Sequence, residues 1–322
     1  MTKMFSLPAV FLLFMLIPNL MWGQQSYDSQ QPERLFDEAL EQYRNERYGL
    51  ARAMFEDVQQ KFAPGQSNLR AEAAYYAAMA ASKLENEDAE DQLEAFLIDF
   101  PESGMRPYVF KRLGDMDYEE ERYRRALRDY GSVEARKLDE KTRNDFRFKT
   151  GYCHFMEEDY DKALSAFSEV RQTSSKWKSS ANFYYAHIQY EQENYRSALE
   201  VFRELEDDPG FAEEVPFYIA QIYYLQDEYQ KAIDYGTPLI EADDGARKAD
   251  MARVVGNAYF ALDDYENAVR YLSVAVEEAD DPRREDHYHL GISHYRLKNF
   301  EKASEALSQV TGEDDAMAQN AY

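Results

Sequence analysis

Cysteine, glycine and proline are scarce in this sequence, and their scarcity excludes several fold classes. The single cysteine, Cys153, cannot form an internal disulfide, so packing must stabilise the fold. The 13 glycines and 10 prolines in 322 residues are too few for an all-β fold, which needs a tight turn about every ten residues. We therefore predict a protein built from long helices.

Positive charge is also in short supply. The chain has 37 lysines and arginines against 62 aspartates and glutamates, which gives a formal net charge of −25. A protein that neutralises phosphates with basic side chains needs the opposite balance, so nucleic acid is excluded as the expected partner. With 44% apolar residues, 26 tyrosines and 19 phenylalanines, the chain is too apolar to be intrinsically disordered, and it should fold.

The first residues have the features of an export signal. Residues 1–23 carry one charged side chain, Lys3, and an apolar run over 7–17 that is shorter than the roughly 20 residues of a membrane-spanning helix. We predict a signal peptide at 1–23, cleaved after Gly23, and a flexible linker at 24–32. The protein is then expected in the periplasm or at the outer envelope, where it would touch the membrane only through a partner or an uncleaved N-terminus.

One pattern recurs eight times along the rest of the chain. A small residue is followed twelve positions later by an alanine, at 39/51, 77/89, 114/126, 151/163, 186/198, 220/232, 256/268 and 291/303. An aromatic residue stands three positions before seven of these alanines, and a large apolar residue stands four positions after seven of them. Spacings of three and four place these side chains on one face of a helix. Each repeat is therefore predicted as two antiparallel helices, and neighbouring hairpins must stack to bury their apolar faces.

The pattern resembles the tetratricopeptide repeat family. The residues that carry the match best are Gly256 with Tyr265 and Ala268, and Gly291 with Phe300 and Ala303. The resemblance implies an all-α fold, a right-handed α-solenoid of about eight antiparallel helix hairpins over 33–312, with 313–322 as the start of a truncated ninth repeat. The sequence departs from the pattern at Asn86 and Gly236, and Pro238 predicts a kink in the second helix of the sixth repeat.

Motifs for catalysis or cofactor binding are absent from the sequence. It has no GxxxxGK[ST], no HExxH and no CxxC motif. Cys153 and His154 are neighbours on a helix and point about 100° apart, so they cannot serve each other as nucleophile and base. His287 and His294 lie about 10 Å apart along a helix axis, which is too far for two ligands of one metal ion. We therefore predict no enzyme activity, no cofactor and no metal site.

A stripe of aromatic residues lies four positions after the small residue of the first helix in seven of the eight repeats. In the tetratricopeptide repeat family this side of the first helix borders a groove that holds extended peptides or helices of partners. The resemblance therefore implies a partner-binding groove, formed by Tyr118, Phe148, Tyr152, Phe155, Phe183, His187, Tyr190, Phe217, Gln221, Tyr224, Arg253, Asn257, Phe260, Tyr288 and Tyr295. The alternative is that these aromatic residues pack between hairpins.

The sequence thus favours a protein–protein interaction scaffold or assembly subunit of the bacterial cell envelope, with other envelope proteins as its partners. One alternative is a glycan-binding envelope module, because aromatic side chains stack on sugar rings; such receptors usually carry an N-terminal lipid-modified cysteine, which is absent here. Another is the non-catalytic repeat region of a longer enzyme. Arg253 and Asn257 also resemble half of the Lys/Asn clamp with which some family members hold a partner's terminal carboxylate.

Overall fold

The computed structural model describes residues 31–61, 68–242, 247–311 and 316–321. The predicted signal peptide at 1–23 and most of the linker at 24–32 lie outside these residues. Within the described residues all regular structure is helical and no strand is present, which confirms the all-α prediction. None of the described helices is both long enough and apolar enough to cross a membrane.

The described part of the chain contains seventeen α-helices joined by short turns and one 3-10 turn at Ala135–Lys137. The helices are α1 (Gln31–Arg44), α2 (Tyr48–Lys61), α3 (Asn68–Lys83), α4 (Ala89–Asp99), α5 (Arg106–Glu119), α6 (Tyr123–Tyr130), α7 (Glu140–Met156), α8 (Tyr160–Arg171), α9 (Lys178–Glu191), α10 (Tyr195–Arg203), α11 (Val215–Leu225), α12 (Tyr229–Ala242), α13 (Lys248–Ala261), α14 (Tyr265–Glu278), α15 (Arg284–Arg296), α16 (Phe300–Ser308) and α17 (Ala316–Ala321). Odd-numbered helices up to α15 are the first helices of hairpins, and the even-numbered ones are their partners.

The chain divides into two compact units, residues 1–146 and residues 147–322. In unit 1 consecutive helices from α1 to α6 pack against each other, and in unit 2 the same holds from α8 to α16. First helices of successive hairpins also touch, as α1 and α3 do in unit 1 and α13 and α15 do in unit 2. Each unit is therefore a stack of helix hairpins, which confirms the predicted solenoid class.

Small residues bring the two helices of a hairpin into close contact. A Cβ atom added to Gly256 of α13 would lie 2.8 Å from the Cγ atom of Leu272 in α14, and one added to Gly291 of α15 would lie 2.6 Å from the Cγ atom of Leu307 in α16. The large apolar residue four positions after the repeat alanine therefore occupies the space that the glycine leaves open. This close approach explains the spacing of the repeat pattern.

The sixth hairpin replaces this large apolar residue with Gly236 in α12. A Cβ atom at Gly236 would lie 2.6 Å from Cγ2 of Val255, so a side chain of the next hairpin fills the position instead. Two residues later, Pro238 lies inside α12, which continues to Ala242. Asp234, whose carbonyl loses its helical donor to Pro238, is exposed, as is Pro238 itself, so water can satisfy that carbonyl. The proline therefore does not end the helix.

The turn inside each hairpin has a left-handed residue that is not glycine. The eight residues have φ between 55° and 63° and are Glu46, Glu85, Glu121, Glu158, Glu193, Asp227, Asp263 and Lys298. In the turn after α9, the amide of Asn194 donates to the carbonyl of Gln189 at 2.8 Å, which is the long-range hydrogen bond of a Schellman motif. The same bond recurs in the other seven turns. These turns fix where each second helix begins.

Candidate partner-binding surface

The aromatic stripe of the first helices is paired with a second row of aromatic residues. In each of seven hairpins, the stripe residue contacts the aromatic residue that opens the second helix, with ring centroids 5.2 to 6.1 Å apart. The pairs are Tyr43–Tyr48, Tyr118–Tyr123, Phe155–Tyr160, Tyr190–Tyr195, Tyr224–Tyr229, Phe260–Tyr265 and Tyr295–Phe300. The exception is the second hairpin, where Ala81 and Asn86 occupy these positions. The stripe therefore helps to close the hairpin turns.

Several stripe residues also contact the next hairpin of their unit. In unit 2 the ring of Tyr190 lies 5.4 Å from that of Tyr218, and the ring of Phe260 stacks on His289 at 4.4 Å. These contacts favour the alternative in which the aromatic residues pack between hairpins. The stripe residues are nevertheless only half-buried, and Tyr295 is 57% exposed. One ring can therefore serve packing and still present an edge to a partner.

The structure distributes the fifteen candidate residues unevenly. Tyr118 belongs to unit 1, and the other fourteen belong to unit 2. Phe148 is 3% exposed and stacks on Trp177 with centroids 4.3 Å apart, so it lies in the core and cannot reach a partner. The half-buried candidates of unit 2 are Tyr152, Phe155, Phe183, His187, Tyr190, Phe217, Gln221, Tyr224, Asn257, Phe260 and Tyr288. We call these eleven residues, together with the exposed Tyr295, the aromatic face.

Arg253 is engaged within the protein and does not extend the aromatic face. Its side chain is 9% exposed, and Nε donates to both carboxylate oxygens of Asp286 at 2.9 and 2.8 Å. Its Nη1 donates to Asp250 at 2.5 Å. Asn257 is also occupied, because its Oδ1 lies 2.9 Å from Nδ1 of His289. The half-clamp for a terminal carboxylate that Arg253 and Asn257 suggested is therefore not available in this arrangement.

The centre of the aromatic face surrounds His187 with rings. Its imidazole lies 5.7 Å from the ring of Phe155 and 5.6 Å from that of Tyr218, and Phe183 is 6.2 Å away. Burial lowers the pKa of His187, against the opposing effect of two nearby carboxylates. Burial also raises the pKa of Tyr190 to about 12. Both side chains are therefore uncharged at neutral pH, and the centre of the face is apolar and aromatic.

The positive charge of Arg283, which directly precedes α15, opposes the rise in the pKa of the Tyr190 hydroxyl of α9. The resemblance places the partner groove on this side of the first helices.

Two features near the face were not anticipated from the repeat pattern. Tyr218 lies two positions before the small residue of its repeat, stacks on Phe202 at 4.9 Å and forms part of the wall around His187. Arg247 lies 4.7 Å above the ring of Phe217 and pairs with Glu214 at 2.6 Å. The contacts of Tyr218 and Arg247 depend on which side chains meet between neighbouring hairpins. The sequence signal for Tyr218 was a second aromatic row at that position, visible also at Tyr184.

No group of three or more potential metal ligands comes together among the described residues. Of the two histidines considered as ligands, His294 is buried with no hydrogen-bond partner for Nδ1. The chemistry that the surface offers is therefore contact by aromatic rings, with a few charged groups around them.

Comparison with known proteins identifies the family. The tetratricopeptide repeat family matches residues 112–176, 186–247 and 255–318, which is more than half of the chain. The chain therefore belongs to the tetratricopeptide repeat family. Such repeats generally mediate protein–protein interactions, and this membership supports a protein-interaction scaffold.

Solved structures of similar fold share little sequence with the chain. A tetratricopeptide repeat protein from Parabacteroides merdae is 13% identical, with 82% of this chain and 99% of that chain covered and a TM-score of 0.45. The Pseudomonas aeruginosa protein pilF is 14% identical, with 69% and 96% covered and a TM-score of 0.47. A double mutant of MamA is 16% identical, with 54% and 94% covered and a TM-score of 0.47. No curated protein matches the chain.

Proposed function

We propose that the protein is an exported scaffold or assembly subunit of the bacterial cell envelope, and that it binds peptides or helices of partner proteins on the aromatic face of unit 2. The observation that supports this most is a surface of half-exposed rings held by internal contacts. Aromatic side chains dominate the energetics of many interfaces. Because these rings are already fixed, little side-chain entropy is lost when a partner binds.

Peptide-display selection on the purified protein tests the binding surface. Selected peptides should bind wild-type protein and should bind Phe155→Ala and Tyr190→Ala at least tenfold more weakly, because each change removes a half-exposed ring from the face. Tyr185→Ala is the matched control. Tyr185 is a half-buried ring on the same helix as Tyr190, about 140° away around the helix axis, and the guanidinium of Arg171 lies 4.1 Å from its ring centroid. If all three changes weaken binding only in proportion to lost stability, the aromatic residues are packing residues and the proposed surface is wrong.

The proposed location has a separate test. Expression of the full chain in a Gram-negative host, followed by cell fractionation and mass spectrometry, should yield a periplasmic or envelope-associated protein that begins at Gln24. A variant with Leu12→Arg in the apolar run should stay unprocessed. An intact N-terminus on wild-type protein in the cytoplasm would contradict export and leave the binding surface untouched.

A further inference from the structure

A row of polar side chains runs along the middle of the aromatic face. His187, Gln221 and Asn257 each stand one position after the small residue of their repeat, on the first helices α9, α11 and α13 of three successive hairpins, and all three are half-buried. Residues four positions before and three positions after each of them lie about 40° and 60° away on opposite sides, at 100° per residue. These flanking residues are Phe183, Phe217 and Arg253 on one side and Tyr190, Tyr224 and Phe260 on the other. We call His187, Gln221 and Asn257 the polar row.

The burial of one ring nitrogen determines what His187 can offer to a partner. Its imidazole is held between Phe155 and Tyr218, and its Nδ1 is buried without a hydrogen-bond partner. Because a buried N–H group without an acceptor is rarer than an unsatisfied acceptor, the proton of the neutral ring belongs on Nε2. Among the described residues nothing hydrogen-bonds to Nε2, which is the nitrogen that the half-buried ring leaves accessible. His187 therefore presents one N–H donor.

The other two members of the polar row also keep N–H donors. The Oδ1 atom of Asn257 accepts a hydrogen bond from Nδ1 of His289 at 2.9 Å, which leaves the two N–H groups of Asn257 Nδ2 without a bond among the described contacts. The side-chain amide of Gln221 forms no hydrogen bond with any other described residue, so it can donate as well. Three successive hairpins thus each present at least one N–H donor between the flanking side chains.

Donors at this spacing fit one backbone conformation. Helices that pack against each other, as α11 and α13 do, have axes about 8–10 Å apart. A polyproline II segment has three residues per turn and a rise of about 3.1 Å per residue, so carbonyls that point in the same direction recur about every 9 Å. Its carbonyls form no internal hydrogen bonds, whereas a helix uses most of its carbonyls internally and would cover the donors without satisfying them. Proline suits this surface further, because it has no N–H group that needs an acceptor and it docks in grooves lined by aromatic rings.

We propose that the polar row binds backbone carbonyl oxygens of a proline-containing partner segment in the polyproline II conformation, one carbonyl from every third residue. His187 donates through Nε2, and Gln221 and Asn257 donate through their side-chain amides. The flanking rings contact the partner side chains on either side of the row. This inference rests on the proposed function and narrows it, because the partner is then an extended segment and not a helix.

Substitutions that remove a donor test the polar row. Peptides are selected on wild-type protein from a library of random 12-residue peptides, and their affinities are measured for His187→Phe, Gln221→Met and Asn257→Asp, the last of which keeps an acceptor for His289. Each variant should bind about tenfold more weakly, because a partner carbonyl in the interface loses its donor. Gln189→Met is the matched control and should bind as wild type does. Gln189 is a half-buried glutamine of α9, about 160° away from His187 around the helix axis.

A surface that acts only through apolar contact predicts the opposite sign, because phenylalanine and methionine add apolar area to the aromatic face. Unchanged or tighter binding by His187→Phe or Gln221→Met would therefore overturn the proposal. Gln221→Met removes no hydrogen bond within the described part of the protein, so the fold should tolerate it. It remains a valid test even if Asn257→Asp proves unstable in urea titrations.

A proline scan of one selected peptide tests the conformation of the partner. Single interior residues are replaced by proline, and because polyproline II accommodates proline, binding should stay within about threefold at most positions. A helical peptide would lose binding at every interior position, since proline removes a helical hydrogen bond and clashes with the preceding turn. Selected peptides with apolar residues at helical spacing whose binding proline abolishes would overturn the proposal.

These outcomes are separable from the proposed function. Peptides that need Phe155 and Tyr190 but bind His187→Phe and Gln221→Met as they bind wild type would leave the aromatic face intact and refute only the polar row. Peptides that need neither ring, or a selection without binders, would refute the binding surface and the polar row together.

Discussion

The buried ion pair of unit 2 gives a prediction in which removing one charge costs more than removing both. Asp286 is fully buried, and its carboxylate accepts two hydrogen bonds from Nε of Arg253 and one, at 3.3 Å, from the backbone amide of Arg283. Breaking a buried pair from one side costs about 3–5 kcal/mol, since it leaves the other charge uncompensated in a poorly solvated place. In Asp286→Asn, Arg253 would still pair with Asp250, whose side chain is 36% exposed. We therefore expect this substitution to lower the free energy of unfolding by about 3 kcal/mol, the lower end of that range.

The double variant Arg253→Met with Asp286→Leu should recover most of this loss, because apolar residues of similar volume replace a buried pair at little net cost. Urea titrations followed by circular dichroism at neutral pH give the free energies of unfolding. A cost below about 1 kcal/mol for Asp286→Asn, or a double variant less stable than the single one, would refute the reasoning. The double variant should also bind selected peptides as wild type does, because Arg253 pairs with carboxylates of the protein itself. A loss of binding would mean that Arg253 does contact the partner.

Three further predictions concern backbone geometry, packing and titration. Glu46→Gly should stabilise unit 1 by about 0.5–1 kcal/mol in urea titrations, because φ is 60° there and glycine avoids the left-handed penalty; Glu46→Ala, which keeps that penalty, should not. Gly256→Ala should cost about 1–3 kcal/mol through its clash with Leu272, whereas Gly49→Ala, whose Cβ meets nothing within 4 Å, should be neutral or stabilising. Burial lowers the pKa of His294 from 6.5, so the unfolded chain binds a proton that the folded chain does not, and stability is lost as pH falls below 6.5; His294→Gln should flatten that loss in thermal melts.

The repeat pattern was sufficient to predict the hairpins because their crossing is a steric matter. A glycine such as Gly151 and a ring such as Phe167 must stand at fixed offsets when a Cβ atom at the glycine would approach the ring to 2.9 Å. Turn geometry was less visible. Helix C-termini with a left-handed residue usually carry glycine or asparagine there. In this protein Glu, Asp or Lys adopts φ near 60° instead. A backbone hydrogen bond stabilises each turn, and such a bond cannot be predicted from the residue type. Pro238 was expected to kink its helix, but its effect depends on whether the orphaned carbonyl meets water, which only the packing decides.

The candidate surface follows from the sequence only in outline. Aromatic stripes mark one side of the first helices, but periodicity does not distinguish the core residue Phe148 from the half-exposed Phe155 seven positions later. Arg253 and Asp286 are 33 residues apart, and their pairing follows from how α13 and α15 meet. A charged residue in a candidate groove therefore does not indicate a binding role until its ion-pair partner within the protein is known.

The proposed double use of the stripe would couple partner binding to the integrity of the hairpins. Tyr190 contacts Tyr195 across its own turn and Tyr218 on the next hairpin, so the ring is fixed before any partner arrives. A partner that covers the remaining exposed edges would add contacts to residues that already join two hairpins, and by linkage it would stabilise those hairpins against local opening. Hydrogen exchange of amides in α9 to α12 should therefore slow when a selected peptide binds, more than exchange in α1 to α4. Equal slowing in both units, or none in α9 to α12, would mean that the stripe serves packing alone.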